Sequence, residues 1–283
     1  MHFQVEYHSR NHYDNIVQNS HWQLLVLPEN SPHQRLISYS YNSNLKLQSY
    51  ISAHLFSGKI LNLTAKRFKD FSISVTSFVE LSKNNPFDFD LLTIDEEKAY
   101  FKNHSILVEN SHFLFPCEFT KVEEEKALKF PLWKKGHLLH YLQNLMSALQ
   151  EELGFSSGET FVTTTAGQAL ETGFGVCQDF AHILIGLLRK QRIPARYTCG
   201  YLCQGLNYNG DGQLHAWVEV LVPGAGWTGV DPANNLLCDH HYIKVTHGRN
   251  YFDCSPIKGV LETKGSNSTS HHVKIFQVQS QQQ

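Results

Sequence analysis

Hydrophobic and polar positions in the first 120 residues follow the period of two that is typical of β-strands. Six segments are rich in β-branched and aromatic residues, most of them alternate, and short polar breaks such as PENSPHQ separate them. The six segments are FQVEYHS, WQLLVLP, RLISYSY, LKLQSYIS, KILNLTAKRF and FSISVTSFVEL. Because no amphipathic helix lies between them, the pattern predicts an antiparallel β-sandwich or a similar pair of sheets.

The pattern changes near residues 120–135, where a charged stretch is interrupted by proline. The leucines of HLLHYLQNLMSALQEELGF then recur at helical spacing, and a second apolar helix follows a glycine turn in GVCQDFAHILIGLLR, residues 175–189. Strands are predicted over 195–202, 214–222, 227–230 and 242–245. Helices followed by strands indicate an α+β fold. We predict a β-rich domain over 1–125, an α+β core over 126–262, and a linker with one further strand, HVKIFQV, and a polar tail over 263–283.

Composition narrows the classes of function. The chain has 24 basic and 26 acidic side chains and a net charge of -2, so no excess of positive charge is available for nucleic acid or an anionic membrane. The N-terminus shows no basic segment followed by an apolar one, and no window has the roughly 18 apolar residues of a membrane helix. We therefore expect a cytoplasmic protein with no nucleic-acid or membrane partner.

Six cysteines are too few for a disulfide scaffold in a chain of 283 residues, so each is considered alone. Cys199 and Cys203 lack the spacing of zinc or redox pairs, and we interpret them as small apolar residues in a strand. A metal or redox protein that uses these cysteines and the 17 histidines is an alternative. Adjacent pairs such as His240-His241 have diverging side chains on a regular backbone, which argues against a metal site.

Cys177 differs from the other cysteines in its position. It begins the apolar helix directly after Gly173 and Gly175, where free backbone N–H groups and the positive end of the helix stabilise a thiolate. The same N–H groups can bind the oxyanion that forms when sulfur attacks a carbonyl. The alternative is a structural cysteine at the start of a core helix.

A base and an orienting group for this thiol follow in the chain. His215 begins the alternating strand of LHAWVEVLVPGAGW, and Asp231 ends the next strand in TGVDPAN. A hairpin loop of three or five residues would place Asp231 opposite Trp217, on the face that carries His215, whereas a four-residue loop would place it on the other face. The odd loop predicts a Cys-His-Asp arrangement.

Three blocks of the sequence resemble successive motifs of the bacterial transglutaminase-like family, whose members are relatives of papain-like cysteine peptidases. The blocks are GVCQDFAHILIGLLRKQRIPARYTCGYL, HAWVEVLVPGAGWTGVDPANN and GRNYFDCSPIKGV. The β-rich first half is similar to the region that precedes this core in bacterial members. The resemblance implies a papain-like core in which Cys177 is the nucleophile, His215 the general base and Asp231 its orienting partner.

The implied activity is attack of the Cys177 thiolate on a carboxamide or peptide carbonyl, followed by resolution of a thioester by water or an amine. Transglutaminase and cysteine peptidase therefore remain paired interpretations, with a peptide or protein as substrate and no cofactor. No acidic calcium loop is present in the sequence. Gln168 or Gln178 is considered as a second oxyanion donor. The alternative from another class is a catalytically inactive binding module that keeps the fold.

Overall fold

The fold is described by a computed structural model that covers residues 1–83, 85–90, 92–203 and 212–278. The predicted polar tail beyond residue 278 lies outside these ranges. The chain has the mixed α+β fold with antiparallel sheets that the sequence predicted. Its helices are α1 (Ile94–Tyr100), α2 (His104–Glu109), α3 (Glu124–Ala127), α4 (Leu138–Glu152), α5 (Ala166–Thr172), α6 (Cys177–Lys190) and α7 (Tyr251–Cys254), with 3-10 turns at Ser111–Phe113 and Glu118–Thr120.

Strands precede and follow these helices. They are β1 (His2–Leu24), β2 (Gln34–Ser43), β3 (Gln48–Ala53), β4 (Lys59–Leu81), β5 (Gly154–Phe155), β6 (Phe174–Gly175), β7 (Ala195–Leu202), β8 (His215–Val222), β9 (Gly226–Asp231), β10 (Leu236–Leu237), β11 (Tyr242–Gly248), β12 (Ile257–Glu262) and β13 (Asn267–Val278). The predicted strands of the second half correspond to β7, β8, β9 and β11. In the first half, two pairs of predicted strands are each continuous, as β1 and β4.

The N-terminal sheet is built around β1 and β4, which pair with each other along nearly their whole length. Their register shifts between His12 and Val17, and the two halves of β1 have different outer neighbours: β13 pairs with the first half and β12 with the second. On either side of the shift, apolar side chains face the interior, and Trp22 stacks on Phe71 with ring centroids 4.0 Å apart. The strands at the two ends of the chain therefore form one six-stranded sheet.

Both C-terminal strands belong to this N-terminal sheet. Residues 257–262, which the sequence-based boundary placed in the core, pair with β1, and the predicted last strand is β13. In sequence, the short helices α1 to α3 lie within residues 94–127, between β4 and the core. The division of the chain at residues 125 and 262 stays a prediction.

The core of the second half is a five-stranded antiparallel sheet with the strand order β10-β9-β8-β7-β11. Helix α6 packs against β7 and β8 and is buried along nearly all of its length, which agrees with its apolar sequence. Gly186 allows the close approach of the 118–120 turn, because a Cβ there would lie 2.0 Å from the carbonyl oxygen of Thr120. Among the helices of the described ranges, none has both the length and the apolarity needed to cross a bilayer.

Candidate active site

Cys177 is the first residue of α6 and is partly exposed, whereas the helix that follows it is enclosed. At this position the backbone N–H groups have no acceptor within the helix, so they remain available to a ligand. Gly173 adopts a left-handed conformation with φ +72° and ends α5, and the chain then turns into α6. The thiol thus lies at the positive end of a rigid helix.

Asp179 fixes the start of this helix. Its Oδ2 accepts hydrogen bonds from the backbone N–H of Val176 at 2.9 Å and from the hydroxyl of Thr160 at 2.7 Å. Gly175 is needed beside it, because a Cβ at Gly175 would lie 2.7 Å from the Cβ of Asp179. Burial raises the pKa of Asp179, while these hydrogen bonds oppose the increase. The first turn of α6, which carries Cys177, is therefore fixed by a close-packed glycine and a buried capping carboxylate.

The hairpin of β8 and β9 brings His215 and Asp231 together. Val222 pairs with Gly226, so the loop has three residues, as the prediction requires, and Val218 pairs with Val230 in the same register. The Nε2 of His215 donates a 2.7 Å hydrogen bond to Oδ2 of Asp231. Both side chains are completely buried.

Asp231 accepts further hydrogen bonds that the sequence did not reveal. Its Oδ2 accepts from the hydroxyl of Tyr242 at 2.9 Å and from Nδ2 of Asn234 at 2.8 Å. Its Oδ1 accepts from the backbone N–H of Ala233 at 3.0 Å and of Asn234 at 3.3 Å. Asn234 lies in a turn directly after Asp231, so its closeness in sequence could have indicated this contact. Tyr242 comes from a strand at the far edge of the sheet, and nothing in the local sequence indicated its contact.

The buried pair changes the protonation of both partners. Burial alone would lower the pKa of His215, but the charge and hydrogen bond of Asp231, together with weaker contributions from Cys177, raise this pKa to about 10. Burial raises the pKa of Asp231, but the charge and hydrogen bond of His215 and the donors Asn234 and Tyr242 outweigh burial and bring this pKa below its usual value of 3.8. Both shifts favour an imidazolium beside a carboxylate.

The second ring nitrogen of His215 is not involved in the hydrogen bond to Asp231. Its Nδ1 atom is enclosed and forms no hydrogen bond of ordinary geometry with the described residues. Cys177 interacts with this imidazole closely enough to contribute to its protonation. The structure therefore brings Cys177, His215 and Asp231 together in that order, with the imidazole in the middle.

The two glutamines considered from the sequence as oxyanion donors have other hydrogen-bond partners. Gln168 is exposed and caps α5 by accepting from the N–H of Thr165, and the amide of Gln178 donates to the carbonyl of Val162. His182 is fully buried, and burial lowers its pKa to about 3. The second oxyanion donor thus remains unassigned.

Glu219 lies on β8 in a network of ion pairs. Its Oε2 accepts from Nε of Arg196 at 2.7 Å and from Nζ of Lys244 at 2.8 Å. Lys244 also pairs with Glu29 of the N-terminal half at 3.3 Å. The side chain of Glu219 is only 12% exposed, so the ion pairs around it are largely shielded from water.

The prediction that the side chains of His240 and His241 point apart is wrong. These residues form a turn before β11 instead of regular backbone, and their ring centroids are 4.3 Å apart. Both rings face the carboxylate of Asp239 through Nδ1. In a turn, neighbouring side chains can point in the same direction, which the rule for helices and strands does not allow for.

Comparison with known sequences finds a match to the core. Residues 129–232 match the sequence profile of the transglutaminase-like superfamily. An uncharacterized protein of Mycobacterium tuberculosis is 27% identical over 281 residues, which cover 94% of this chain and 89% of that protein. A protein-glutamine gamma-glutamyltransferase of Pseudomonas aeruginosa is 40% identical over 68 residues, covering 22% of this chain and 10% of that protein.

Comparison with solved structures extends the likeness to the whole fold. The crystal structure of a protein from Cytophaga hutchinsonii, proposed to be a cysteine protease, superposes with a TM-score of 0.75 at 20% identity. The match covers 100% of this chain and 92% of that one. The strand-rich N-terminal half and the core are therefore similar in arrangement to those of the solved structure.

Proposed function

We propose that this chain, whose residues 129–232 match the transglutaminase-like superfamily, is a thiol-dependent enzyme that transfers or hydrolyses an acyl group through Cys177, His215 and Asp231. The observation that carries the proposal is the position of the His215 imidazole, hydrogen-bonded to a buried carboxylate on one side and next to the thiol at a helix start on the other. A nucleophile, a base and an orienting group are the elements of such chemistry.

The first half-reaction forms a thioester. The Cys177 sulfur attacks the carbonyl carbon of a carboxamide or peptide bond, and the carbonyl π electrons move to oxygen. The backbone N–H groups at the start of α6 stabilise this oxyanion. As the tetrahedral intermediate collapses, the carbon–nitrogen bond breaks and the imidazolium of His215 gives its proton to the departing amine or ammonia.

The second half-reaction releases the acyl group. Water or a primary amine attacks the thioester carbonyl, His215 accepts the proton of the attacking group, and the thiolate leaves. Asp231 supports the imidazolium and holds the ring through Nε2, so Nδ1 exchanges the proton in both half-reactions. The reaction is hydrolysis with water and transamidation with an amine.

The experiment uses a library of glutamine-containing peptides with and without a biotinylated primary amine. We expect release of ammonia from preferred peptides and, if amines compete with water, incorporation of biotin. The matched control is Cys177→Ala, which lacks only the sulfur. The binding-module alternative is supported, and this proposal rejected, if the native protein releases no ammonia, forms no thioester and is not labelled by thiol-reactive amide probes.

A further inference from the structure

A second group of chemically active side chains lies at the turn before β11. Within the described residues, Asp239, His240 and His241 are the one group in which three potential metal ligands converge, with ligand atoms all within 4.8 Å of one another. His241 Nδ1 is 2.9 Å from Oδ1 of Asp239, and His240 Nδ1 is 3.8 Å from Oδ2. Ligand atoms around tetrahedral zinc are about 3.4 Å apart, a value that these two distances bracket.

The backbone holds the three residues in this arrangement. The N–H of Tyr242 donates to the carbonyl of Asp239 at 3.2 Å and closes the turn. The N–H of Cys203 donates to the carbonyl of His241 at 2.8 Å and fixes the turn to the end of β7. Since these hydrogen bonds fix the turn, binding an ion would require little rearrangement of the backbone.

The surroundings leave room for an exchangeable ion. All three side chains are partly exposed, so their donor atoms can be reached from solvent. Asp239 and His240 also line a cleft of about 460 Å³ between the core sheet and the 29–34 segment, with Trp217 and Trp227 in its wall. An ion with three protein ligands would keep a coordination position for water or for a group that enters the cleft.

We propose that Asp239, His240 and His241 bind a divalent transition-metal ion, with zinc as the expected ion. Two imidazole nitrogens and one carboxylate favour zinc and its neighbours over calcium or magnesium, which prefer all-oxygen sites. The turn leads directly into Tyr242, whose hydroxyl donates to Asp231. The ion would therefore lie three or fewer residues from a group that supports His215.

The test measures zinc binding by isothermal titration calorimetry in a Cys177→Ala background, because a thiol next to an imidazole is itself a zinc site. We expect one site, with affinity reduced more than about 100-fold by His241→Ala and by Asp239→Asn. The matched control is His272→Ala, which changes the other adjacent histidine pair and should leave the affinity unchanged. Zinc should also raise the Tm of the background protein by about 5 °C at saturation.

A second measurement separates this site from the remaining cysteines. With Co²⁺ in place of zinc, imidazole and carboxylate ligands give d–d bands without a thiolate-to-cobalt charge-transfer band. A charge-transfer band, or equal affinity before and after His241→Ala, would overturn the proposal. His240→Ala repeats the test with a partly exposed side chain, and circular dichroism confirms that each variant is folded. Because every measurement is made without Cys177, the result does not depend on the proposed enzyme activity.

Discussion

His215 and Asp231 form a hydrogen bond of 2.7 Å between Nε2 and Oδ2, with neither side chain exposed to solvent. The carboxylate accepts additional hydrogen bonds from the turn after it and from Tyr242. A buried charge of this kind needs all its partners, because an unpaired one carries the full cost of desolvation. Asp231 therefore contributes to the stability of the fold as well as supporting the imidazole.

Cys177→Ala should abolish labelling by a thiol-reactive amide probe. The sulfur is partly exposed at the start of α6 beside His215, whereas Cys199 is buried at 6% exposure. Mass spectrometry should find the label on Cys177 alone, and Cys199→Ala should leave the rate unchanged. The variant should lose less than about 1 kcal/mol of stability, since little buried volume is removed. Equal labelling of Cys177 and Cys199 in the native protein would contradict the special position of Cys177.

Asp231→Asn should reduce both activity and stability. The asparagine amide can keep one hydrogen bond to His215 but loses the charge that supports the imidazolium. Its NH2 group also replaces a carboxylate oxygen and therefore faces groups that donate hydrogen bonds to Asp231 in the native protein. We expect a loss of about 1,000-fold in turnover and about 3 kcal/mol in the free energy of unfolding. Ammonia release and urea denaturation measure the two effects. A variant as stable as the native protein would show that the five hydrogen bonds contribute little.

Tyr242→Phe should have a smaller effect of the same kind. It removes one hydrogen bond to the buried carboxylate, which is worth about 2 kcal/mol because the acceptor is charged. We expect a decrease of about tenfold in the labelling rate of Cys177 as His215 loses support. The matched control is Tyr201→Phe, whose hydroxyl donates to the carbonyl of Val26 away from this site. The control should lose stability without a change in rate, and equal rates in both variants would refute a positioning role.

The stabilisation by the His215-Asp231 pair should depend on pH. The pKa of His215 is about 10 in the folded protein and 6.5 in an ordinary setting, so its contribution is complete below pH 6.5 and is lost as the pH rises through 10. The pKa of Asp231 is lowered from 3.8, so its contribution is present above that pH and is lost as the pH falls.

The measurement compares the native protein with Asp231→Asn by chemical denaturation across this range. The difference in unfolding free energy should be greatest between pH 3.8 and 6.5 and should decrease toward pH 10. A difference that increased on going from pH 6.5 to pH 10 would contradict a protonated His215.

Glu219→Gln should destabilise the fold without affecting the labelling of Cys177. Burial raises the pKa of Glu219, but Lys244 and Arg196 lower it to about 2, so the carboxylate is charged across the working range. Its loss leaves two largely buried cations with one partner fewer and should cost about 3 kcal/mol. The matched control is Glu80→Gln, because Glu80 pairs with Arg35 at the surface, where water screens the interaction, and its loss should change stability little. Equal losses in both variants would contradict the importance of burial.

The relation between His215 and Asp231 could be predicted because it depends on local geometry. A three-residue loop fixes the register of β8 on β9, and the period of two then decides which side chains share a face. The start of α6 was predictable for the same reason, since the glycine turn and the apolar period lie next to each other in the sequence.

Features that depend on distant segments could not be predicted in this way. Tyr242 reaches Asp231 only because β11 joins the far edge of the sheet, and Glu219 is buried only because Arg196 and Lys244 converge on it. The continuous strands β1 and β4 also crossed polar breaks that suggested turns, since pairing with each other satisfies their backbone groups. Tertiary contacts determine these features, and local sequence propensity therefore does not predict them.

The closure of the N-terminal sheet by β12 and β13 constrains the order in which the protein can assemble. The side chains of Tyr7 and His271, separated by 264 residues in sequence, are hydrogen-bonded at 2.7 Å. As the chain is synthesised, β1 can pair with β4 early, but its other edge stays open until the last strands leave the ribosome. An open edge with an apolar face can pair with the same edge of another nascent chain. The sheet whose first strands are synthesised earliest is thus completed last. Aggregation is most favoured in the interval between the pairing of β1 with β4 and the arrival of β12 and β13.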